Sequence, residues 1–192
     1  MTTSSTSNSA RPIRRIVCLD DTRGKSLAIS DGPVPTMHID PARPGFESTR
    51  LWVTDRSPAR MKNAGRPIHE TVDMPHTIEP PAGGSVCRMV LFPPDDTWSG
   101  RVSAADVQRY FEAMGSPSAQ AGGSGAPHPY MQRTRTLEFC LVIEGEITLV
   151  LDTAEVQLGQ GDTVVQRGTR HAWSNRSGKP CLMAFSSHDG CW

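Results

Sequence analysis

From residue 137 onward the chain is a run of short apolar segments with little between them. LEFCLVIE (137–144), ITLVLD (147–152), AEVQL (154–158), TVVQR (163–167), HAWSN (171–175) and CLMAFSS (181–187) follow one another across turns such as GE, GQGD, GTR and RSGKP. Evenly spaced short strands joined by glycine turns are the pattern of a sandwich or jelly roll. With 17 glycines and 16 prolines the chain also leaves little room for long helices, and the expectation is an all-β fold. Upstream, RRIVCLD (14–20), KSLAIS (25–30), TRLWVTD (49–55) and SVCRMVLFP (85–93) read as further strands, set apart by proline-rich stretches such as DGPVPTMHIDPARPG.

One helix interrupts the pattern. In SAADVQRYFEAMG (103–115), Ser103 is the N-cap, Asp106 completes a capping box, Val107, Tyr110, Phe111 and Met114 recur at helical spacing, and Gly115 stops the helix. The segment SPSAQAGGSGAP (116–127) has no large apolar residue and reads as a flexible loop.

Several functions are excluded early. Twenty basic residues balance 20 acidic ones, so no basic field draws phosphates, and a nucleic-acid partner is not expected. No apolar run approaches the roughly 20 residues of a membrane span. The start, MTTSSTSNSARPIRR, lacks the apolar core of a signal peptide; it reads as a disordered tail or a weak organelle address. Five scattered cysteines without a CxxC pair point to a reducing, cytoplasmic setting, with Cys18, Cys87 and Cys140 as packing residues. There is no GxSxG elbow, P-loop or dinucleotide fingerprint.

Glu138 precedes Gly145 in EFCLVIEG, and GQGDTVVQRGTRHAWSN runs from Gly159 to Asn175. These segments resemble the two conserved motifs of the cupin superfamily, specifically small single-domain cupins whose second motif reads GDxVVQRGTxHAWxN. The likeness extends to SDGP (30–33), LWVTD (51–55), EPPAGG (79–84) and HPYMQRT (128–134). It implies a cupin jelly-roll barrel with an N-terminal strand extension and one short external helix. The organisation expected is a tail over 1–12, strands and helix packing on the barrel over 13–115, the loop over 116–127 and the barrel core over 128–192. A homodimer is implied as well, since strands such as IVCLD and LAIS have edges to cover.

In metal-binding cupins the first motif supplies two histidines one residue apart, shortly before the glutamate. Here those places hold Met131 and Arg133, or Gln132 and Thr134. An amide oxygen is a weak ligand for transition metals. At most Gln132, Glu138 and His171 form a three-point site, with His128 as a possible fourth ligand. No cofactor is expected beyond a weakly bound divalent metal.

The residues carry their own reading. Alternation puts Glu138, Cys140 and Val142 on one strand face, and His171, Trp173 and Asn175 on one face of a later strand. If both faces line one interior, Glu138 and His171 meet there. His171 is the candidate general acid or base. A carboxylate in an apolar strand must be paired, hydrogen-bonded or protonated, so Glu138 is either a ligand or acid/base group, or an ion-pair partner for Arg133, Arg135 or Arg167. Gln132 is a candidate hydrogen-bond donor to the reacting group. Trp173 either floors a pocket or closes the barrel. Arg88, Arg133 and Arg167 could anchor a carboxylate or phenolate. His38, His69 and His76 read as surface groups, and His188 as peripheral.

Three functions fit this set. The first is a lyase or isomerase using general acid/base chemistry for decarboxylation, dehydration, isomerisation or cyclisation. The resemblance to small cupins of secondary metabolism implies a polyketide-like or phenolic substrate. The second is an iron-dependent dioxygenase using Glu138 and His171. The third is a non-catalytic binder of a small ligand.

Overall fold

In the computed structural model, residues 12–59, 61 and 74–192 are described, and they fall into two units, one ending at Pro35 and one running from Thr36 to Trp192. The stretch read as a tail lies outside the described residues but for Pro12, and so does His69.

The first unit is an antiparallel hairpin of β1 (Arg14–Asp20) and β2 (Ser26–Pro33), in register from Arg14 opposite Pro33 to Asp20 opposite Ser26, with a bulge between Val17 and Cys18. The Asp21 carboxylate accepts the backbone N–H groups of Arg23 and Lys25 and so shapes the turn. Cys18 is exposed here, against the expectation of a packing residue, because a two-stranded hairpin has no second layer of its own to bury it. Cys87 is half-buried and Cys140 buried, and all five thiols are unpaired.

The second unit consists of two sheets. The larger has the order β3 (Met37–Ile39), β4 (Glu47–Thr54), β5 (Ser85–Phe92), β11 (Cys181–Asp189), β6 (Thr136–Glu144), β9 (Thr163–Arg167); the smaller has the order β10 (His171–Ser174), β7 (Glu146–Leu151), β8 (Glu155–Gly159). All pairings are antiparallel. Inward residues at alternate positions build the core, with Val90, Phe92, Cys140, Val142 and Phe185 from the larger sheet and Ile147, Leu149 and Trp173 from the smaller. This is an all-β, cupin-like jelly roll. Gly145 and Gly161 take φ of +88° and +90° in the tight turns after β6 and before β9, where a side chain would be strained. Among the described residues no helix is long and apolar enough to cross a membrane.

The boundary expected at 128 does not divide the sheet. β5 pairs with β11 from Phe92 opposite Cys181 to Ser85 opposite His188, so residues well upstream of 128 form the middle of the barrel wall. β3 also lies within the stretch read as a proline-rich spacer. Residues 116–127 are tied down: Pro117–Ala119 form a 3-10 turn, Ser116 and Ala119 are buried, and the Ala119 carbonyl accepts the Arg133 N–H. Their small size serves close approach, since a Cβ on Gly122 would stand 2.8 Å from the Pro129 carbonyl oxygen.

The helix α1 (Ala104–Ala113) starts as expected, with the Ser103 and Asp106 capping box in place. Its stripe is not laid on the outside of the strands. Val107, Phe111 and Met114 instead join Ile78, Trp98, Ala119 and Tyr130 in a second apolar cluster drawn from loops. This brings the Tyr110 ring edge-on to Phe46 of the main core.

Candidate functional site

The two sheets carry Glu138 and His171 to one point. Glu138 faces inward on β6, between outward Leu137 and Phe139, and His171 opens β10 in the facing sheet. Both are fully buried, and His171 Nε2 lies 3.9 Å from Glu138 Oε2. Gln132 arrives by a two-way backbone bridge with His171, with N–H to carbonyl distances of 2.8 and 3.0 Å. Its side-chain Nε2 is 3.1 Å from His171 Nε2.

The neighbours of the imidazole fix its tautomer. Nδ1 lies 2.9 Å from the Thr169 carbonyl, which can only accept, so Nδ1 carries the proton. In the neutral ring Nε2 then holds a lone pair, which accepts the amide N–H of Gln132. Glu138 Oε1 accepts the Ser187 hydroxyl at 2.7 Å, whereas Oε2 is buried with no hydrogen bond. A proton taken up on Nε2 would therefore face a carboxylate oxygen with spare accepting capacity.

The ion partner of Glu138 is none of the three arginines expected. It is Arg88, whose Nη2 stands 4.0 Å from Glu138 Oε1. Arg133 is exposed, donates Nε to the Gly168 carbonyl and lies over the Trp192 ring. Arg135 is exposed and pairs with Asp189. Arg167 is exposed because β9 sets it opposite Leu137, an outward position of β6. The structure thus places neither Arg133 nor Arg167 in the interior.

Next to this group lies a cavity of about 40 Å³, lined by Arg43, Phe46, Arg88, Tyr110, Tyr130, Gln132 and Trp173 among others. That volume holds about three waters, and a larger ligand must displace the lining. Glu138 and His171 do not line it; Arg88 and Gln132 do, and they are the residues that reach Glu138 and His171. Trp173 belongs to both the cavity lining and the main core, 5.7 Å ring to ring from His171, with its indole N–H buried and unbonded. Asn175 is structural: its amide donates to the Phe92 and Lys179 carbonyls.

His128 goes elsewhere. Its Nδ1 accepts the Tyr130 N–H, and its Nε2 is 3.9 Å from Asp95 Oδ2 without a hydrogen bond. Burial, with Arg43 and Arg176 adding to it, pulls its pKa down to about 4. Burial raises that of Asp95, against the Ser174 hydroxyl bond that lowers it. His76 is not a surface group either: it is half-buried, 3.0 Å from Ser48 Oγ, and burial followed by the charges of Arg88 and Arg50 lowers its pKa to about 3. His38 is half-buried beside it.

Sequence reasoning missed Arg43. It is buried, with Nε donating to Asp40 Oδ2 at 2.7 Å and its guanidinium 3.8 and 3.7 Å from the centres of the Phe46 and Tyr130 rings. Asp40 organises it by accepting the Ala42 N–H on one oxygen and the Tyr130 hydroxyl on the other. The sequence signal was slight, an Asp three residues before an Arg inside a proline-rich stretch.

The cupin fold raises the question of a metal. Among the described residues no group of three or more His, Cys, Asp or Glu is placed to hold one. The nearest donor set is one imidazole, one carboxylate and one amide. The amide N–H of Gln132 is bonded to the ring nitrogen a metal would use, and the Arg88 cation stands beside the carboxylate. The residues present do not fit a tightly held transition metal.

Residues 119–186 match the family model of the cupin domain. A stretch of 48 residues is 52% identical to the phomopsin biosynthesis cluster protein C′ of Diaporthe leptostromiformis, covering 24% of this chain and 25% of that protein. A longer stretch, 108 residues, is 33% identical to the cupin-domain-containing oxidoreductase virC of Hypocrea virens, covering 54% of this chain and 40% of the relative. The chain thus spans about a quarter to two fifths of the length of these relatives. Among solved structures, the Cnp3 cupin domain of Schizosaccharomyces pombe aligns over 93% of this chain and 89% of its own, at 7% identity and a TM-score of 0.44. A conserved-barrel cupin of Salinispora arenicola aligns over 75% and 76%, at 18% identity and a TM-score of 0.37. The match to the cupin domain is thus carried by residues 119–186, on an all-β, cupin-like fold.

Proposed function

We propose that this cupin is an enzyme of secondary metabolism that transfers a proton on a small carbonyl or phenolic molecule, in a lyase- or isomerase-type step, without a tightly bound transition metal. The observation that carries this is the His171 tautomer: the Thr169 carbonyl holds the Nδ1 proton, leaving the Nε2 lone pair toward Gln132 and Glu138. His171 accepts the substrate proton at Nε2, the unbonded Glu138 Oε2 offsets the imidazolium charge, and the Gln132 amide turns to donate to the substrate oxygen. Because Gln132 stands between cavity and imidazole, its movement admits the substrate. The matches to proteins of the phomopsin and oryzines biosynthesis clusters support the metabolic setting. The test is complementation of a strain lacking this gene: the wild-type chain restores the metabolite profile and a folded His171→Asn chain does not. Restoration by that variant would remove His171 from the mechanism.

A second reading, an iron-dependent oxidoreductase on Glu138 and His171, is favoured by the names of two relatives, which are called cupin-domain-containing oxidoreductases. The donor set weighs against it.

The protein acts as a homodimer in this proposal. Leu137, Phe139 and Val165 are 37, 50 and 58% exposed on the outer face of the larger sheet, beside an apolar hollow of about 400 Å³ lined in part by Cys87, Leu141 and Ala184. A second copy covering that face removes a contiguous apolar surface from water. Light scattering should give twice the chain mass for the wild type and the chain mass for Phe139→Arg; a monomeric wild type would contradict the dimer.

A further inference from the structure

We propose that the cavity selects a small molecule bearing a carboxylate, held by Arg88 and Arg43. This rests on the reading of the cavity as the substrate site and adds the class of ligand it takes. Both arginines line the cavity, and they are only 5% and 4% exposed. A buried cation needs an anion in hydrogen-bond contact. Arg43 has one in Asp40, yet its Nη2 is buried without a partner. For Arg88 the shortfall is larger. Glu138 is 4.0 Å away, beyond hydrogen-bond distance, and is itself bonded to Ser187, while Arg88 Nε is buried and unbonded.

The unmet groups of the lining residues are all donors: Arg88 Nε, Arg43 Nη2 and the Trp173 indole N–H. Tyr130, which also lines the cavity, donates its hydroxyl proton to Asp40. Three unmet donors, two of them on planar cations, call for a ligand that only accepts, carries negative charge and is planar at its head, which describes a carboxylate. Phe46, Phe92 and Tyr110 then take the apolar body. Phosphate is also an anion but has neither the planar head nor the apolar tail.

The test uses the smallest isosteric pair, acetate and acetamide, titrated into the whole protein at constant ionic strength, with inorganic phosphate as a third arm. The Trp173 indole N–H resonance reports occupancy. Acetate should give a saturable shift at least tenfold tighter than acetamide or phosphate. Arg88→Gln should weaken acetate at least tenfold, and Arg88→Lys, which keeps the charge, by less. Equal affinity for acetate and acetamide in the wild type would overturn the proposal without any variant having to fold, as would tighter binding of phosphate or an unchanged Arg88→Gln. His171→Asn separates the two ideas: acetate binding should stay within twofold there, so loss of the proton-transfer reading would leave this result standing.

Discussion

The Thr169 carbonyl accepts the Nδ1 proton of His171 at 2.9 Å, and this one bond decides which nitrogen of the ring is a base. Nitrogen-15 spectra should show neutral His171 as the Nδ1–H tautomer. A ring protonated at Nε2 would remove the base from the side of Glu138 and Gln132.

Glu138 and Arg88 form a buried pair too long for a hydrogen bond but close enough for their charges to matter. Replacing Glu138 with Gln keeps an acceptor for the Ser187 hydroxyl and leaves Arg88 as an uncompensated buried charge. Unfolding free energy should fall by about 3 kcal/mol. Adding Arg88→Met should restore more than half of the loss in a double-mutant cycle measured by urea unfolding. No recovery would mean that the two charges are uncoupled.

Acid should destabilise the fold through His128. Its pKa is about 4 in the folded state, against 6.5 for an unperturbed imidazole, so below pH 6.5 the unfolded chain binds a proton that the folded one refuses. The stabilisation is complete above 6.5 and is lost as pH falls toward 4, at up to about 1.4 kcal/mol per unit. Asp95, whose pKa burial raises, acts in the opposite direction. His128→Asn keeps an acceptor for the Tyr130 N–H and does not titrate. The difference in urea midpoint between wild type and variant should move against the wild type between pH 6.5 and 4; a constant difference would contradict the shift.

The meeting of Glu138 and His171 was legible because each face follows from local alternation, and the turn glycines and capping box are likewise local signals. The arginines were not legible in the same way. Arg88 reaches Glu138 because β11 lies between β5 and β6, placing Phe185 opposite Arg88 and Ser187 opposite Glu138, and no single segment records that pairing. Arg167 was open to correction from the sequence, since Gln166 and Arg167 must face opposite sides of β9. Arg43 had no period to reveal it, because its burial depends on Asp40, Phe46 and Tyr130 in three separate stretches. Residues 116–127 misled in another way: small residues serve close backbone packing as well as flexible linkers, and composition does not separate the two.

Whether His171 transfers a proton without a tightly held metal is decided by elemental analysis of protein purified without added metal. The wild type should hold well under one equivalent of iron, manganese, nickel and zinc together, and occupancy should rise in Gln132→His, which adds a second imidazole beside His171. A full equivalent of iron in the wild type, lost together with activity on chelation, would contradict it.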